Sequence, residues 1–295
     1  MKDSSRPQSG PDHDVANDRS PLSVGVVVCD IKPANVAALK YLVLQLNKQQ
    51  RLFEVEFLPP DSSDRLIQML DAGTQLHTDD VTQELDEFQH RYHQYVARLS
   101  VNSYALRGSV PNRFIVISLA SVTGNYYSIN VGTASVLTLG SWERDMAPPS
   151  IIEFVLTMVV REATFMAVSS VDQHLGTRGC LFDFTPILED ARQRVLGGCL
   201  CTECRKAIES ECGPATVEEL NHTARKGWLG TLDNPHSPAA IASNLGHNLF
   251  LNKGLQPTRW EAFVSLARQE GVSQAFNVAG IVLAAVLLLV LGIQA

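Results

Sequence analysis

A cluster of cysteines in the second half of the chain is the feature that most limits how it can fold. Five of the six cysteines lie between Cys180 and Cys212, and Cys201 and Cys204 form a C-x2-C pair. Two thiolates at this spacing can bind one tetrahedral Zn²⁺, because the turn between them directs both sulfurs to the same side. His174 and Cys180 lie upstream and can complete the shell. The spacing therefore predicts a structural zinc site of His174, Cys180, Cys201 and Cys204, with no position left for a reactive water.

Other roles for these cysteines stay open from the sequence. Cys199 is close enough to Cys201 to replace it as a ligand, and Cys212 is interpreted as a spare thiol. Buried cysteines also occur as unliganded core residues. A secreted disulfide framework is not expected, because residues 1–20 are polar and charged and lack the apolar core of a signal peptide. We therefore expect reduced thiols in a cytosolic compartment.

Charge and composition restrict the class of partner. The net charge is -7 and the isoelectric point is about 5.6, with no run of Lys or Arg. Nucleic-acid binding needs a concentrated basic surface, so nucleic acid is not an expected partner. Residues 1–20 combine charge with Pro and Gly and lack apolar periodicity, which predicts a disordered tail.

The chain from Leu22 onward has the pattern of an α/β domain. A β-branched run over Leu22–Cys29, a helical pattern over Ala34–Leu46 and a second strand over Phe53–Leu58 together predict a βαβ unit. The further predicted elements are two helices over Ser62–Ala72 and Asp79–Leu99, a strand over Arg113–Ala120, a hairpin or a pair of edge strands within Asn125–Leu139 and a long buried helix over Ser150–Ser170.

The segment from Gly179 to Cys204, GCLFDFTPILEDARQRVLGGCLCTEC, resembles the zinc-knot segment of the archaemetzincins, a family of zinc peptidases. In that family a Cys, an apolar residue, an aromatic-bearing run, an acidic residue and a final C-x2-C follow the catalytic helix. The resemblance covers Leu22–Cys212. It implies an α/β fold with a metzincin-like mixed sheet, a long central helix and a zinc knot in which His174 replaces the first Cys.

The catalytic motif of the archaemetzincins is missing from the long helix. Their HExxHxxGxxH motif supplies three zinc-binding histidines and a Glu that acts as general base. Its named positions correspond in order to Arg161, Glu162, Phe165, Val168 and Val171, so only the Glu is kept. The resemblance therefore implies a degenerate and catalytically inactive domain.

Glu162 is the one weak candidate for a catalytic residue. It can line a repurposed cleft, paired with Arg161 or Arg178. Its other interpretation is a solvated or salt-bridged helix residue, which we favour because isolated helix carboxylates are usually of that kind.

An uncharged segment, VAGIVLAAVLLLVLGI, extends from Val278 to Ile293. A helix of about 20 residues crosses a hydrocarbon core of ~30 Å, so residues 273–295 are predicted to form a transmembrane helix. Before it, the pattern over Pro257–Glu270 places Trp260 and Phe263 on one apolar face, which predicts an interfacial helix. Basic residues precede the span and none follows it, which predicts a single-pass protein with the bulk of the chain in the cytoplasm.

The predicted organisation has four parts: a tail over 1–20, an archaemetzincin-like α/β domain over 21–212, a helical linker region over 213–272 and a transmembrane helix over 273–295. The predicted function is a membrane-tethered, inactive metallopeptidase-like module for interaction, sensing or an effector role. Its expected partners are membrane lipid and another protein. Two alternatives stay open: a hydrolase that uses Glu162 in a reorganised site, and a membrane-perturbing effector that oligomerises through its C-terminal helix.

Overall fold

A five-stranded mixed sheet lies at the centre of the structure, a computed structural model that describes residues 20–29, 31, 36–72, 75–102, 110–142, 144–176, 178–269 and 283. The strands are β1 (Leu22–Val28), β2 (Phe53–Leu58), β3 (Gln75–Leu76), β4 (Phe114–Ser118), β5 (Ser121–Val122), β6 (Ser128–Val131) and β7 (Ala134–Thr138). The sheet order is β2-β1-β4-β7-β6, in which only β6 and β7 are antiparallel. β3 and β5 form a separate two-stranded sheet.

The α-helices of the described residues are α1 (Val36–Gln45), α2 (Arg65–Asp71), α3 (Thr78–Asn102), α4 (Ile151–Ala167), α5 (Leu188–Gly197), α6 (Thr202–Cys212), α7 (Pro214–Arg225), α8 (Pro238–Asn244) and α9 (Arg259–Gln269). Because α1 connects the parallel strands β1 and β2, the predicted βαβ unit is confirmed. The predicted hairpin is also confirmed, as β6 and β7. The fold is therefore mixed α/β, as the sequence predicts.

Helices cover both faces of the sheet. Alternate residues of a strand point to opposite faces, so Val26 of β1 packs with α1 and α4, whereas Val27 packs with α2 and α3. Strands buried on both faces are continuous apolar runs, and β4 is buried at all five positions. This arrangement explains why β4 has no alternating polar residues.

The long central helix α4 begins with a capping box. Ser150 Oγ accepts a hydrogen bond from the Glu153 amide at 3.3 Å, and a Glu153 carboxylate oxygen accepts one from the Ser150 amide at 2.9 Å. From Ile151 to Thr164 every residue except Glu153 is buried. The prediction of a long buried helix here is confirmed, and its two charged residues beyond the first turn, Arg161 and Glu162, lie in the protein interior.

The core continues beyond the C-x2-C segment. Val217 and Leu220 of α7, Ala239 of α8 and Leu255 belong to the same hydrophobic cluster as α4.

Capping hydrogen bonds fix the first and last residues of a helix, which the apolar pattern of the sequence predicts only to within a few residues. For example, α2 begins at Arg65 rather than near Ser62, because the Asp64 carboxylate caps it by accepting a hydrogen bond from the Leu66 amide at 2.9 Å.

Two predicted segments lie outside the described residues. They are the tail, apart from Ser20, and the predicted transmembrane helix over 273–295, apart from Leu283. Within the part of the chain that the structure describes, no helix combines the length and apolar character needed to cross a membrane.

Candidate metal centre

Four potential metal ligands meet between the end of α4 and the start of α6. His174 lies in the segment after α4, Cys180 follows it, Cys201 is the N-cap residue of α6 and Cys204 lies in its first turn. Their ligand atoms all lie within 4.8 Å of one another. His174 Nε2 is 3.2 Å from Cys204 Sγ and 3.5 Å from Cys201 Sγ. The structure thus brings together the four residues that the sequence predicts, as a cluster that can bind a metal ion.

Helix α5 and the turn that ends it connect the two halves of this cluster. Gly198 caps α5 with a φ of 51°, in the left-handed region that favours glycine. A Cβ atom at this position would lie 2.3 Å from the carbonyl oxygen of Ala224, so a larger residue does not fit. After the turn, the carbonyl of Cys199 accepts a hydrogen bond from the Leu181 amide at 2.8 Å. This pairing holds the first two ligands beside the C-x2-C pair.

Hydrogen bonds within the cluster favour the thiolate form of Cys180, the form that binds metals. The Cys204 thiol donates a hydrogen bond to Cys180, which lowers the pKa of Cys180 to about 5. The same bond raises the pKa of Cys204. The amide of Cys201 also donates to Cys180 Sγ, at 3.3 Å. Cys201 and Cys204 lie at the N-terminus of α6, where the helix dipole stabilises negative charge.

Asp183 holds the histidine ligand and its loop in place. Asp183 Oδ1 lies 2.7 Å from His174 Nδ1, which leaves Nε2 facing the sulfurs. Asp183 Oδ2 accepts hydrogen bonds from the amides of Arg178, at 2.7 Å, and Cys180, at 3.0 Å. A carboxylate behind a histidine ligand fixes the ring orientation. The prediction from sequence did not include Asp183, although an acidic residue three positions after Cys180 was a usable signal.

We expect Asp183→Asn to weaken metal binding by roughly 10- to 100-fold, the usual effect of losing a carboxylate behind a ligating histidine. The amide keeps the shape of the side chain but removes the charge that orients the imidazole. Competition with a chromogenic chelator measures the affinity. Asp172→Asn is a matched control, since Asp172 is exposed and lies two residues before His174. Equal affinities in the two variants would contradict the assigned role.

Cys199 and Cys212 lie outside the cluster. The Sγ atom of Cys199 donates a hydrogen bond to the carbonyl oxygen of Gly179 at 2.9 Å, and burial raises the pKa of this thiol. Cys212 is the last residue of α6. The alternative in which Cys199 replaces Cys201 as a ligand is therefore not the arrangement found. No disulfide joins any of the cysteines, all of which lie among the described residues.

Glu162 lies inside the core, where it pairs with the guanidinium of Arg161. The two side chains are 1% and 0% exposed. Arg178, the other partner considered, bonds the carboxylate of Glu203 instead, at 2.9 Å. The interpretation of Glu162 as a solvated or salt-bridged helix residue is confirmed as a salt bridge, and the pair is buried because α4 is buried on this side too. Glu162 lines none of four cavities of 400–590 Å³ that described residues form.

A second buried arginine connects this ion pair to the metal cluster. Arg194 of α5 donates a hydrogen bond to the Asp183 carbonyl oxygen and another to the Tyr127 hydroxyl, the latter at 3.2 Å. Burial lowers the pKa of its guanidinium, and Arg161 and Glu162 are both close enough to affect it. Arg161, Arg194 and Glu162 thus form a buried group of two guanidiniums and one carboxylate.

Known proteins assign nothing further to this arrangement. A scan against protein families, a search of characterised proteins and a search of solved structures each find no match to the chain. The function is therefore inferred from the metal cluster and from the buried charges of α4.

Proposed function

We propose that this chain is a catalytically inactive, archaemetzincin-like module that is stabilised by structural zinc and held at a membrane by its C-terminal segment. The observation that carries the proposal is the closed ligand set of one imidazole nitrogen and three sulfurs. Four protein ligands fill a tetrahedral zinc shell, whereas a catalytic zinc keeps one position for water or substrate. This metal would stabilise the fold without taking part in a reaction.

The donor set fits Zn²⁺ better than other common ions. Thiolates with an imidazole select zinc or iron–sulfur chemistry, whereas calcium, magnesium and manganese prefer oxygen ligands. Zinc–sulfur bonds of ~2.3 Å in a tetrahedron place the sulfurs about 3.8 Å apart. The spread of the four ligand atoms, within 4.8 Å, is compatible with that distance after a small adjustment. His174, Cys180, Cys201 and Cys204 would each provide one bond.

The environment of Glu162 supports the inactive character of the module. A general base must reach the proton that it removes, directly or through one water. Glu162 is buried and already bonded to Arg161. The helix also carries Arg161 and Phe165 where the family motif has two zinc-binding histidines. A module of this kind acts through contacts, which supports an interaction, sensor or effector role with a protein partner.

The composition of the C-terminal segment supports the membrane tether. The sequence from Val278 to Ile293 has no charged or strongly polar residue, which is the pattern of a membrane-crossing helix. The basic residues Arg259 and Arg268 precede it. This distribution favours a cytoplasmic position for the metal-binding module.

The test uses the full chain, extracted from membranes in detergent under reducing conditions. We expect elemental analysis to find one tightly bound zinc per chain. Deletion of residues 273–295 should move the protein from the salt-washed membrane pellet to the supernatant with its zinc retained. Absence of tightly bound metal would remove the zinc assignment, and a truncated protein that still pellets would remove the assigned tether.

A further inference from the structure

Helix α9 presents its aromatic residues outward. Trp260, Phe263 and Leu266 are 71%, 45% and 49% exposed, and the rings of Trp260 and Phe263 stack with their centroids 5.8 Å apart. A helix on the surface of a soluble protein usually turns such residues toward the core. Three large apolar side chains spaced three residues apart therefore form an apolar surface that the described part of the chain leaves uncovered.

The direction of this surface is fixed by contacts at the start of α9. Thr258 and Glu261 form a reciprocal pair, in which the Thr258 amide donates to the carboxylate at 2.9 Å and the Glu261 amide donates to the hydroxyl at 3.2 Å. The same carboxylate accepts a hydrogen bond from Arg144 Nη2 at 2.5 Å, and Arg144 Nη1 donates to the Gln256 carbonyl at 3.0 Å. Because Arg144 lies just before α4, these bonds join α9 to the folded domain.

The sequence that follows identifies a lipid bilayer as the occupant of this surface. The uncharged segment from Val278 to Ile293 begins soon after α9 ends. Tryptophan and phenylalanine beside arginine and lysine are the residues that occupy the headgroup layer of a membrane. Arg259 is exposed on α9, and Lys253 lines the same 590 Å³ groove as Trp260. Both cations can contact anionic headgroups.

We infer that the surface formed by Trp260, Phe263 and Leu266 lies in the headgroup layer of an anionic membrane. The Glu261–Arg144 pair then holds the α/β domain in one orientation above that membrane. This inference rests on the proposed membrane tether and adds which side of the domain faces the lipid. A protein that covers the same surface is the competing occupant, and the test separates the two.

The experiment reconstitutes the full chain into vesicles of phosphatidylcholine and phosphatidylserine with brominated acyl chains. The fluorescence lost in Trp260→Phe identifies the Trp260 signal without changing Trp142, which is buried, or Trp228, which is half-buried. We expect the brominated chains to quench this signal at least about twofold and the vesicles to protect it from aqueous acrylamide. Val101→Trp in the Trp260→Phe background is the control, because Val101 is exposed on α3, across the sheet from α4.

The other possible results test the lipid-facing surface and the membrane tether separately. If the protein floats with the vesicles but acrylamide reaches Trp260 as readily as the control tryptophan, the membrane-facing surface is wrong and the tether stands. If Trp260 is shielded from acrylamide but unaffected by brominated chains, a protein surface covers it, and the inference is again wrong. If the chain does not float with vesicles, the tether is wrong and the inference fails with it.

Discussion

Cys204→Ser is expected to remove tightly bound zinc and to prevent stable folding of the segment from His174 to Cys212. A serine hydroxyl is a poor zinc ligand, so the substitution opens a shell that needs four donors. Metal binding at structural zinc sites supplies on the order of 10 kcal/mol of folding free energy at neutral pH. With zinc bound as proposed, much of the stability of this segment would depend on the metal. Elemental analysis and denaturant unfolding of the full chain in detergent measure the two effects.

Cys199→Ser provides the matched control for this prediction. Cys199 lies in the same turn as the ligands, but its thiol donates a hydrogen bond to the carbonyl of Gly179, which a serine hydroxyl can also make. The control should keep one zinc per chain and change the unfolding free energy by less than about 1 kcal/mol, as expected for a preserved hydrogen bond. If Cys204→Ser keeps its zinc and Cys199→Ser loses it, the ligand set assigned here is wrong.

Glu162→Gln is expected to lower the free energy of unfolding by about 3–5 kcal/mol, because breaking a buried ion pair leaves an uncompensated charge in the interior. Here the consequence is severe, since removal of the carboxylate leaves Arg161 and Arg194 together in the core. The amide fills the same space, so the loss reports on charge rather than on volume. Chemical denaturation at equilibrium measures it.

Glu87→Gln is the control for this second prediction, because Glu87 is exposed and pairs with Arg91 one helical turn later. Exposed pairs of this kind contribute less than about 1 kcal/mol, so the free energy of unfolding of this variant should be close to that of the wild type.

The Glu162→Gln variant also separates the two candidate functions, the inactive module and the hydrolase. A hydrolytic activity that disappears while stability is unchanged would support a hydrolase, whereas lower stability with no hydrolytic activity in either protein supports the inactive module.

The C-x2-C part of the candidate metal site could be predicted from the sequence because its chemistry is local. Two residues separate Cys201 from Cys204, and Cys is one of the few residue types that bind zinc. Long elements such as α4 were predicted equally well, because apolar residues extend through the whole helix. Both signals depend only on neighbours in the chain.

The burial of Glu162 could not be predicted, because α4 has no polar face that shows which side meets solvent. Its surroundings come from distant segments. Ser128 accepts a hydrogen bond from Arg161 at 3.2 Å, and Arg194 approaches from α5. Periodicity contains no information about such pairs. The same limit applies to Asp183, whose link to His174 depends on how the loop after α4 folds back.

The position of Arg161 and Glu162 next to each other in the chain bears on the order in which the protein folds. Their pairing closes no loop, so it costs little chain entropy, and α4 can enter the core with an electrically neutral pair. Arg194 reaches the same place only after the chain between residues 162 and 194 has folded back, and it adds one uncompensated positive charge. We therefore expect α5 to dock late, and with it the two halves of the metal cluster to meet late, after the sheet and α4 have formed.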